Sequence, residues 1–269
     1  MQDFRGKCAV ITGGSGLLGH AMAEAFAKLG MNIVVADISE EAMARTVATV
    51  EALGCEALAI RTDVSNPAEM DALAEAAYAS FQQVNLLCLN AGRTILKPLL
   101  QLTRDDWDAV LSVQFGGVLN GVLSFLPRLV AQGGERHIVI TSSMSGVGRA
   151  DLRPLNAPYV TAKFAAVGLA EVMAPVVKTE GIGLSVLCPG MTVADPDACR
   201  GVEWPMASAA YYEGNILSAT QVAEEVVRGI REGRLHIFPH RKGRLEVIKR
   251  HMDLMEAFDQ AERTSPPLE

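Results

Sequence analysis

Tyr159-Val160-Thr161-Ala162-Lys163 sets a phenol and an ammonium four positions apart. On a helix, positions i and i+4 lie one turn apart on the same face, so the two groups project into one small volume. A phenol with its ordinary pKa of about 10 is a poor base at neutral pH. A neighbouring cation favours its ionised form, and the pair then reads as a device for abstracting a proton from an alcohol. Thr141-Ser142-Ser143 closes the preceding apolar run, and a hydroxyl there can hold and polarise a substrate oxygen as its charge changes. Y-x-x-x-K alone also describes an ordinary helix start with a surface tyrosine and lysine. The weight therefore falls on the elements that position it.

Those elements alternate regularly. Cys8-Ala9-Val10-Ile11-Thr12 is a short apolar run ending in Gly13-Gly14-Ser15-Gly16-Leu17-Leu18-Gly19, with a helical pattern over residues 20–29. Strand, glycine turn and helix in that order form a phosphate cradle, because the backbone can approach a pyrophosphate closely and the helix start offers free N–H groups. A second apolar run, residues 32–37, ends in Asp37, 24 positions beyond Gly13. A carboxylate there accepts hydrogen bonds from the ribose hydroxyls of an adenosine and repels a 2′-phosphate, which favours NAD over NADP. The other role open to Asp37, capping the helix that starts near Glu40, suits Ser39 better. Further strands are predicted over residues 56–62, 86–89, 137–141, 183–187 and 233–239, with Pro67 at the first turn of the helix after Asp63-Val64. A long helix is predicted over residues 104–131, and Pro175 should kink or loosen the helix carrying Tyr159. Strands this uniformly apolar indicate a parallel sheet covered on both faces.

The totals fit one domain over residues 1–269. Charged residues are 20% and hydrophobic ones 49% of the chain, and the mean hydropathy is +0.21, apolar enough to place some surface in a subunit interface. A net charge of −7 and a pI near 5.3 argue against nucleic acid as a partner. The first strand pattern begins near Lys7, and no apolar run approaches the roughly 18 residues of a spanning helix, so a cytoplasmic location with no membrane partner is expected. Five cysteines stand singly (Cys8, Cys55, Cys88, Cys188, Cys199), without C-x-x-C, which suggests reduced buried thiols. The five histidines form no ligand cluster, and no metal site is expected.

Taken together, the glycine loop, Asp37, Asp63-Val64, Asn90-Ala91-Gly92, Ser142-Ser143, Tyr159-x-x-x-Lys163 and Pro189-Gly190 resemble the short-chain dehydrogenase/reductase family over about residues 4–240. The resemblance implies a Rossmann-like, doubly wound seven-stranded α/β sheet, with a nicotinamide cofactor across the strand C-termini. It makes Tyr159 the acid/base, gives Lys163 the nicotinamide ribose and the lowering of the tyrosine pKa, and assigns the substrate-polarising hydroxyl to Ser143, with Ser142 as the alternative. It assigns cofactor contacts to Gly13, Ser15, Gly16, Leu18, Gly19, Asp37, Ile38, Asp63, Val64, Asn90, Ala91, Gly92, Tyr159, Lys163, Pro189, Gly190 and Thr192. Three departures stand out. The glycine loop has the spacing of the family's extended members, with Leu17 where classical members usually carry a glycine. Gln114 occupies the place of an asparagine thought to hold a relay water. Ser143 and Tyr159 lie 16 positions apart, an enlarged spacing that implies a longer loop on the substrate side.

A substrate loop is predicted over about residues 191–214, where Met191, Trp204, Met206, Tyr211 and Tyr212 suggest an apolar or aromatic alcohol or ketone. Arg149 and Arg153 offer a carboxylate clamp, although solvated loop arginines are commoner. An amphipathic helix over about residues 245–258 is expected to cap the site or reach a neighbouring subunit, and the family often forms dimers or tetramers through helices corresponding to 104–131 and 158–180. The reading is an NAD-dependent oxidoreductase of secondary alcohols and ketones. The rivals are a catalytically silent NAD-binding sensor or scaffold, and an epimerase or dehydratase that retains NAD.

Overall fold

The computed structural model describes residues 1–148, 155–197 and 216–264. In chain order the elements are β1 (Cys8–Thr12), α1 (Leu17–Ala27), β2 (Asn32–Asp37), α2 (Glu40–Ala52), β3 (Ala57–Arg61), α3 (Pro67–Phe81) and β4 (Leu86–Leu89). After them come α4 (Arg104–Leu111), a π turn (Ser112–Gly116), α5 (Gly117–Gln132), β5 (Arg136–Thr141), α6 (Ala157–Thr179), β6 (Ile182–Leu187), β7 (Thr192–Val193), β8 (Leu217–Ser218), α7 (Ala219–Glu232), β9 (His236–Ile237) and α8 (Arg244–Thr264). Seven strands form one parallel sheet in the order β3-β2-β1-β4-β5-β6-β9. The order reverses direction between β1 and β4, which opens a crevice at the strand C-termini where ligands bind in such sheets.

Both faces are covered, which is why β1, β4 and β5 are buried along their whole length. On one face Met70 and Leu73 of α3, Phe125 and Leu129 of α5, and Ala166 and Ala170 of α6 pack on alternate strand residues such as Val10, Leu87 and Ile138. On the other, Met22 and Phe26 of α1 and Val222, Val226 and Ile230 of α7 pack on Ile11, Val35, Cys88 and Val139. The period-two alternation of strand side chains divides the two layers. Helix starts reflect the local chemistry. Ser39 caps α2, and Asn66 caps α3 with Pro67 in its first turn. Thr103 with Asp106, and Ser218 with Gln221, form capping boxes on α4 and α7.

Several expectations are corrected. The helix expected over 104–131 is split by the π turn, which inserts one residue and re-aims Gln114. The third strand is shorter than residues 56–62, and the last is two residues where 233–239 was expected. α6 runs on through Pro175 to Thr179. The C-terminal helix extends to Thr264, beyond residue 258. No spanning-length apolar helix was expected, yet the continuous segment from Arg104 to Gln132, and α6, are long and apolar enough by composition to cross a membrane. Both place one side on the sheet and leave apolar residues such as Leu123 and Val172 exposed on the other.

Candidate active site

The crevice over β1, β4, β5 and β6 holds a cavity of about 970 Å³, and Gln114 and every residue the resemblance assigned to catalysis or the cofactor border it. Its floor is built by backbone that only glycine permits. A Cβ at Gly19 would collide with the Gly13 carbonyl oxygen, and one at Gly13, where φ is +63°, would lie 2.8 Å from the Ala91 Cα. Leu17, at the start of α1, leaves this cradle intact and lines it alongside Leu18. The cradle and its free helix N-terminus fit a dinucleotide phosphate.

Asp37 ends β2 at the rim of the cavity. Its Oδ2 accepts from the Ser15 backbone N–H at 3.1 Å and from the Ser15 hydroxyl at 2.5 Å, while Oδ1 accepts from the Ile38 N–H at 2.8 Å. Asp63 accepts twice from Ser65, through N–H and hydroxyl. Asn90 ties the centre of the sheet together. Its amide donates to the Thr12 and Gly13 carbonyls, and its side-chain oxygen accepts from the Thr141 hydroxyl at 3.2 Å. The Thr12 hydroxyl in turn accepts from the N–H groups of Asn90 and Ala91. These bonds hold the ends of β1, β4 and β5 in a fixed relation under the cavity.

The two serines differ in their hydrogen bonds. Both border the cavity, and the Ser142 hydroxyl donates to the Lys163 carbonyl at 2.8 Å. The Ser143 oxygen also accepts from the Ser145 N–H. Tyr159 and Lys163 do share one face of α6, with the ammonium 5.5 Å from the centroid of the phenol ring. The Lys163 ammonium donates to the Thr141 carbonyl at 2.7 Å. Burial lowers the Lys163 pKa to about 8. Burial is also the main influence on Tyr159 and raises its pKa, with a hydrogen bond from Ser143 pulling the other way. In this state the surroundings of Tyr159 favour the neutral phenol, which differs from the expectation that Lys163 dominates.

Gln114 is buried in the π turn. Its amide nitrogen donates to the Arg93 carbonyl at 2.7 Å, and its amide oxygen, sealed from solvent, has no hydrogen-bond partner among the described residues. Gly92 lies against it, and a Cβ there would come within 3.1 Å of both amide atoms.

Comparison with known proteins agrees with this geometry. Residues 7–199 match the family model described as short chain dehydrogenase. The chain belongs to the short-chain dehydrogenase/reductase family. It is 32% identical over 266 residues to the C alpha-dehydrogenase of a Sphingobium species, covering 93% of this chain and 86% of that one. It is 27% identical over 258 residues to a 1-deoxy-11-beta-hydroxypentalenate dehydrogenase of Streptomyces exfoliatus, covering 92% and 90%. Among solved structures, a short chain dehydrogenase/reductase from Burkholderia phymatum in complex with NAD superposes with a TM-score of 0.83 at 36% identity over the whole of both chains. The apo form of LigD from Sphingobium gives 0.82 at 30% identity, covering 99% of this chain and 100% of that one. As a short-chain dehydrogenase/reductase, this chain is an oxidoreductase that works with a nicotinamide cofactor.

Two side chains of this dehydrogenase/reductase were not singled out from the sequence. His240 is buried behind Pro189-Gly190, with Nδ1 accepting from the Gly190 N–H at 2.9 Å and Nε2 donating to the Met191 carbonyl at 2.9 Å. One acceptor and one donor fix the neutral Nε2–H tautomer. Both bonds go to backbone, so no side-chain pattern announces them. Glu246 reaches the cavity from the first turn of α8. It was missed because a C-terminal helix carries no register with respect to the sheet. Met191 and Thr192 border the cavity, and Thr192 and Val193 of β7 are held in place by pairing with Leu217 and Ser218 of β8. Arg149, Arg153, Trp204, Met206, Tyr211, Tyr212 and Cys199 lie outside the described residues.

Proposed function

We propose that this short-chain dehydrogenase/reductase transfers hydride between NAD and a secondary alcohol or ketone of apolar or aromatic character, in a reducing, cytoplasmic compartment. The observation that carries the reading is the meeting of Ser143, Tyr159 and Lys163 on the wall of a cavity whose floor is a glycine cradle. NAD, when bound, accepts or supplies the hydride; Gly13, Ser15, Gly16, Leu18, Gly19, Ile38, Asp63, Val64, Asn90, Ala91, Gly92, Pro189, Gly190 and Thr192 would surround it. The Asp37 carboxylate supports NAD over NADP, since a 2′-phosphate beside it meets repulsion.

Each catalytic side chain has a separate task. Tyr159 passes the proton to or from the substrate oxygen, and Ser143 holds that oxygen by a hydrogen bond. Burial keeps Tyr159 protonated, which suits it directly to donate in the reductive direction. In the oxidative direction the phenolate needs the Lys163 cation beside it. The Lys163 ammonium, one turn along α6, also stands where it can hold a ribose hydroxyl. The Gln114 amide oxygen is a ready acceptor for a water that links this group to solvent. Around the substrate side, Leu96, Met144 and Met191 supply apolar wall, and Asn156 and Glu246 supply polar groups. The free thiols of Cys8, Cys55, Cys88 and Cys188 fit a reducing compartment.

The test is NADH formation from a panel of aromatic and aliphatic secondary alcohols, with NADP in parallel. NAD is expected to give the larger kcat/KM, and Asp37→Ala to narrow the gap. Tyr159→Phe should lower kcat/KM by about 10²–10⁴-fold with NAD affinity preserved. Tight NAD binding with no turnover on any alcohol would return the chain to the silent sensor reading.

A further inference from the structure

The ladder between β6 and β9 ends at Cys188, whose N–H donates to the Ile237 carbonyl at 2.9 Å. Pro189 follows and has no N–H to continue it. The chain beyond must still be held in place, because residues 189–192 border the cavity, and the Pro189 carbonyl accepts from the Met144 N–H at 2.9 Å and from the Ser143 hydroxyl at 3.5 Å. A side chain takes over where the backbone ladder stops. The His240 imidazole accepts from the Gly190 N–H through Nδ1 and donates to the Met191 carbonyl through Nε2, each at 2.9 Å. The ring is buried and lies against Gly190 so closely that a Cβ there would come within 3.0 Å of its Cγ and Cδ2. The Met191 carbonyl also accepts from the Leu217 N–H at 3.2 Å, and the Thr192 hydroxyl donates to the Gly190 carbonyl at 3.2 Å. Residues 189–192 thus form a strap tied at each step.

His240 stands behind this strap and does not itself border the cavity. The glycine cradle and Asp37 border the same cavity. A dinucleotide laid with its adenosine half on them and its nicotinamide beside Tyr159 meets the strap with its nicotinamide half alone. We propose that His240 is a positioning residue for the nicotinamide half of the cofactor: its two bonds hold the backbone of Gly190 and Met191 in the shape that receives that half. A strap already ordered before binding spares the cofactor the cost of ordering it. The inference rests on the proposed seating of the cofactor, with the nicotinamide next to Tyr159.

Equilibrium titration of the full-length chain with NADH and with ADP-ribose, which lacks the nicotinamide, tests the assignment and needs no alcohol substrate. His240→Ala is expected to weaken NADH about tenfold and to change ADP-ribose by no more than about twofold. Two conservative variants separate the bonds. In His240→Asn the side-chain oxygen can replace Nδ1 as acceptor, and in His240→Gln the amide nitrogen can replace Nε2 as donor. Each should recover part of the NADH affinity that His240→Ala loses. Should His240→Ala fail to fold, the Asn and Gln chains carry the same comparison, each losing NADH affinity several-fold with ADP-ribose unaltered. Equal losses for the two ligands would make His240 a residue of general stability and overturn the positioning role. Unchanged NADH affinity in a folded His240→Ala chain would overturn it as well. An unaltered chain that binds NADH no more tightly than ADP-ribose would instead overturn the seating of the cofactor, and the positioning role with it.

Discussion

Gln114 carries an unusual cost. A buried amide oxygen without a partner forgoes roughly 1–3 kcal/mol, and a longer side chain than asparagine has been fitted in beside a glycine to put it there. In the proposed function this oxygen would accept from a water on the proton path from Lys163. Gln114→Met keeps the volume and removes the acceptor. It is expected to lower kcat about 10–100-fold and flatten its dependence on solvent deuterium, while the thermal midpoint holds or rises. An unchanged kcat would show that the oxygen has no part in the reaction. Spacing alone found Tyr159 and Lys163, because helical periodicity puts them on one face, whereas Gln114 was found only through the resemblance to the family. Spacing did not separate Ser142 from Ser143, which only the resemblance ranked, because the bond that distinguishes them, from the Ser142 hydroxyl to the Lys163 carbonyl, joins residues 21 positions apart. The His240 clamp on Gly190 and Met191 was out of reach for the same reason.

At the scale of elements, β1, β2, β4, β5 and β6 were legible because burial on both faces leaves an unbroken apolar run. β9 was not delimited, since two paired residues leave little pattern. The π turn was invisible because the apolar faces of α4 and α5 each keep helical spacing and only their relative phase changes. One connection among elements depends on a single side chain. Buried Arg136, at the start of β5, donates through Nη1 to the Leu129 carbonyl at 2.6 Å, through Nη2 to the Glu180 carbonyl at 2.8 Å and through Nε to the Gly134 carbonyl. It thus fastens the end of α5, the end of α6 and the strand between them, and satisfies carbonyls that the helix ends leave over. Arg136→Met should cost about 2–4 kcal/mol in urea unfolding, with little change in KM for substrate. A loss below about 0.5 kcal/mol would mean that water replaces the guanidinium.

For the molecule as a whole, acid stability depends on two buried histidines. Burial lowers His137 to about 3, where its Nε2 lies 2.9 Å from the Ser185 hydroxyl, and burial also lowers His240. Both pKa values are lower in the folded state than the ordinary value near 6.5. The unfolded chain therefore takes up protons first, and stability falls as pH drops from about 6.5 toward about 3. Lys163, lowered to about 8, favours the folded state as pH rises above about 8, but burial raises the thiols of Cys8, Cys88 and Cys188, and their earlier ionisation in the unfolded chain opposes that slope from about pH 9. Urea midpoints measured across pH should show the acid slope. His137→Gln should reduce the acid slope, and an unaltered slope would place the titration elsewhere.

The sheet order adds a constraint on how the molecule is made. β6 pairs with β5 on one side and, on the other, with a two-residue strand that lies 49 positions beyond its own end. During synthesis, β6 leaves the ribosome with a row of unpaired amides and carbonyls along one edge, and it stays open until residue 237 has emerged. The nascent chain spends that interval exposed to strand addition by its neighbours, so the final stretch before α8 also ends its period of greatest risk.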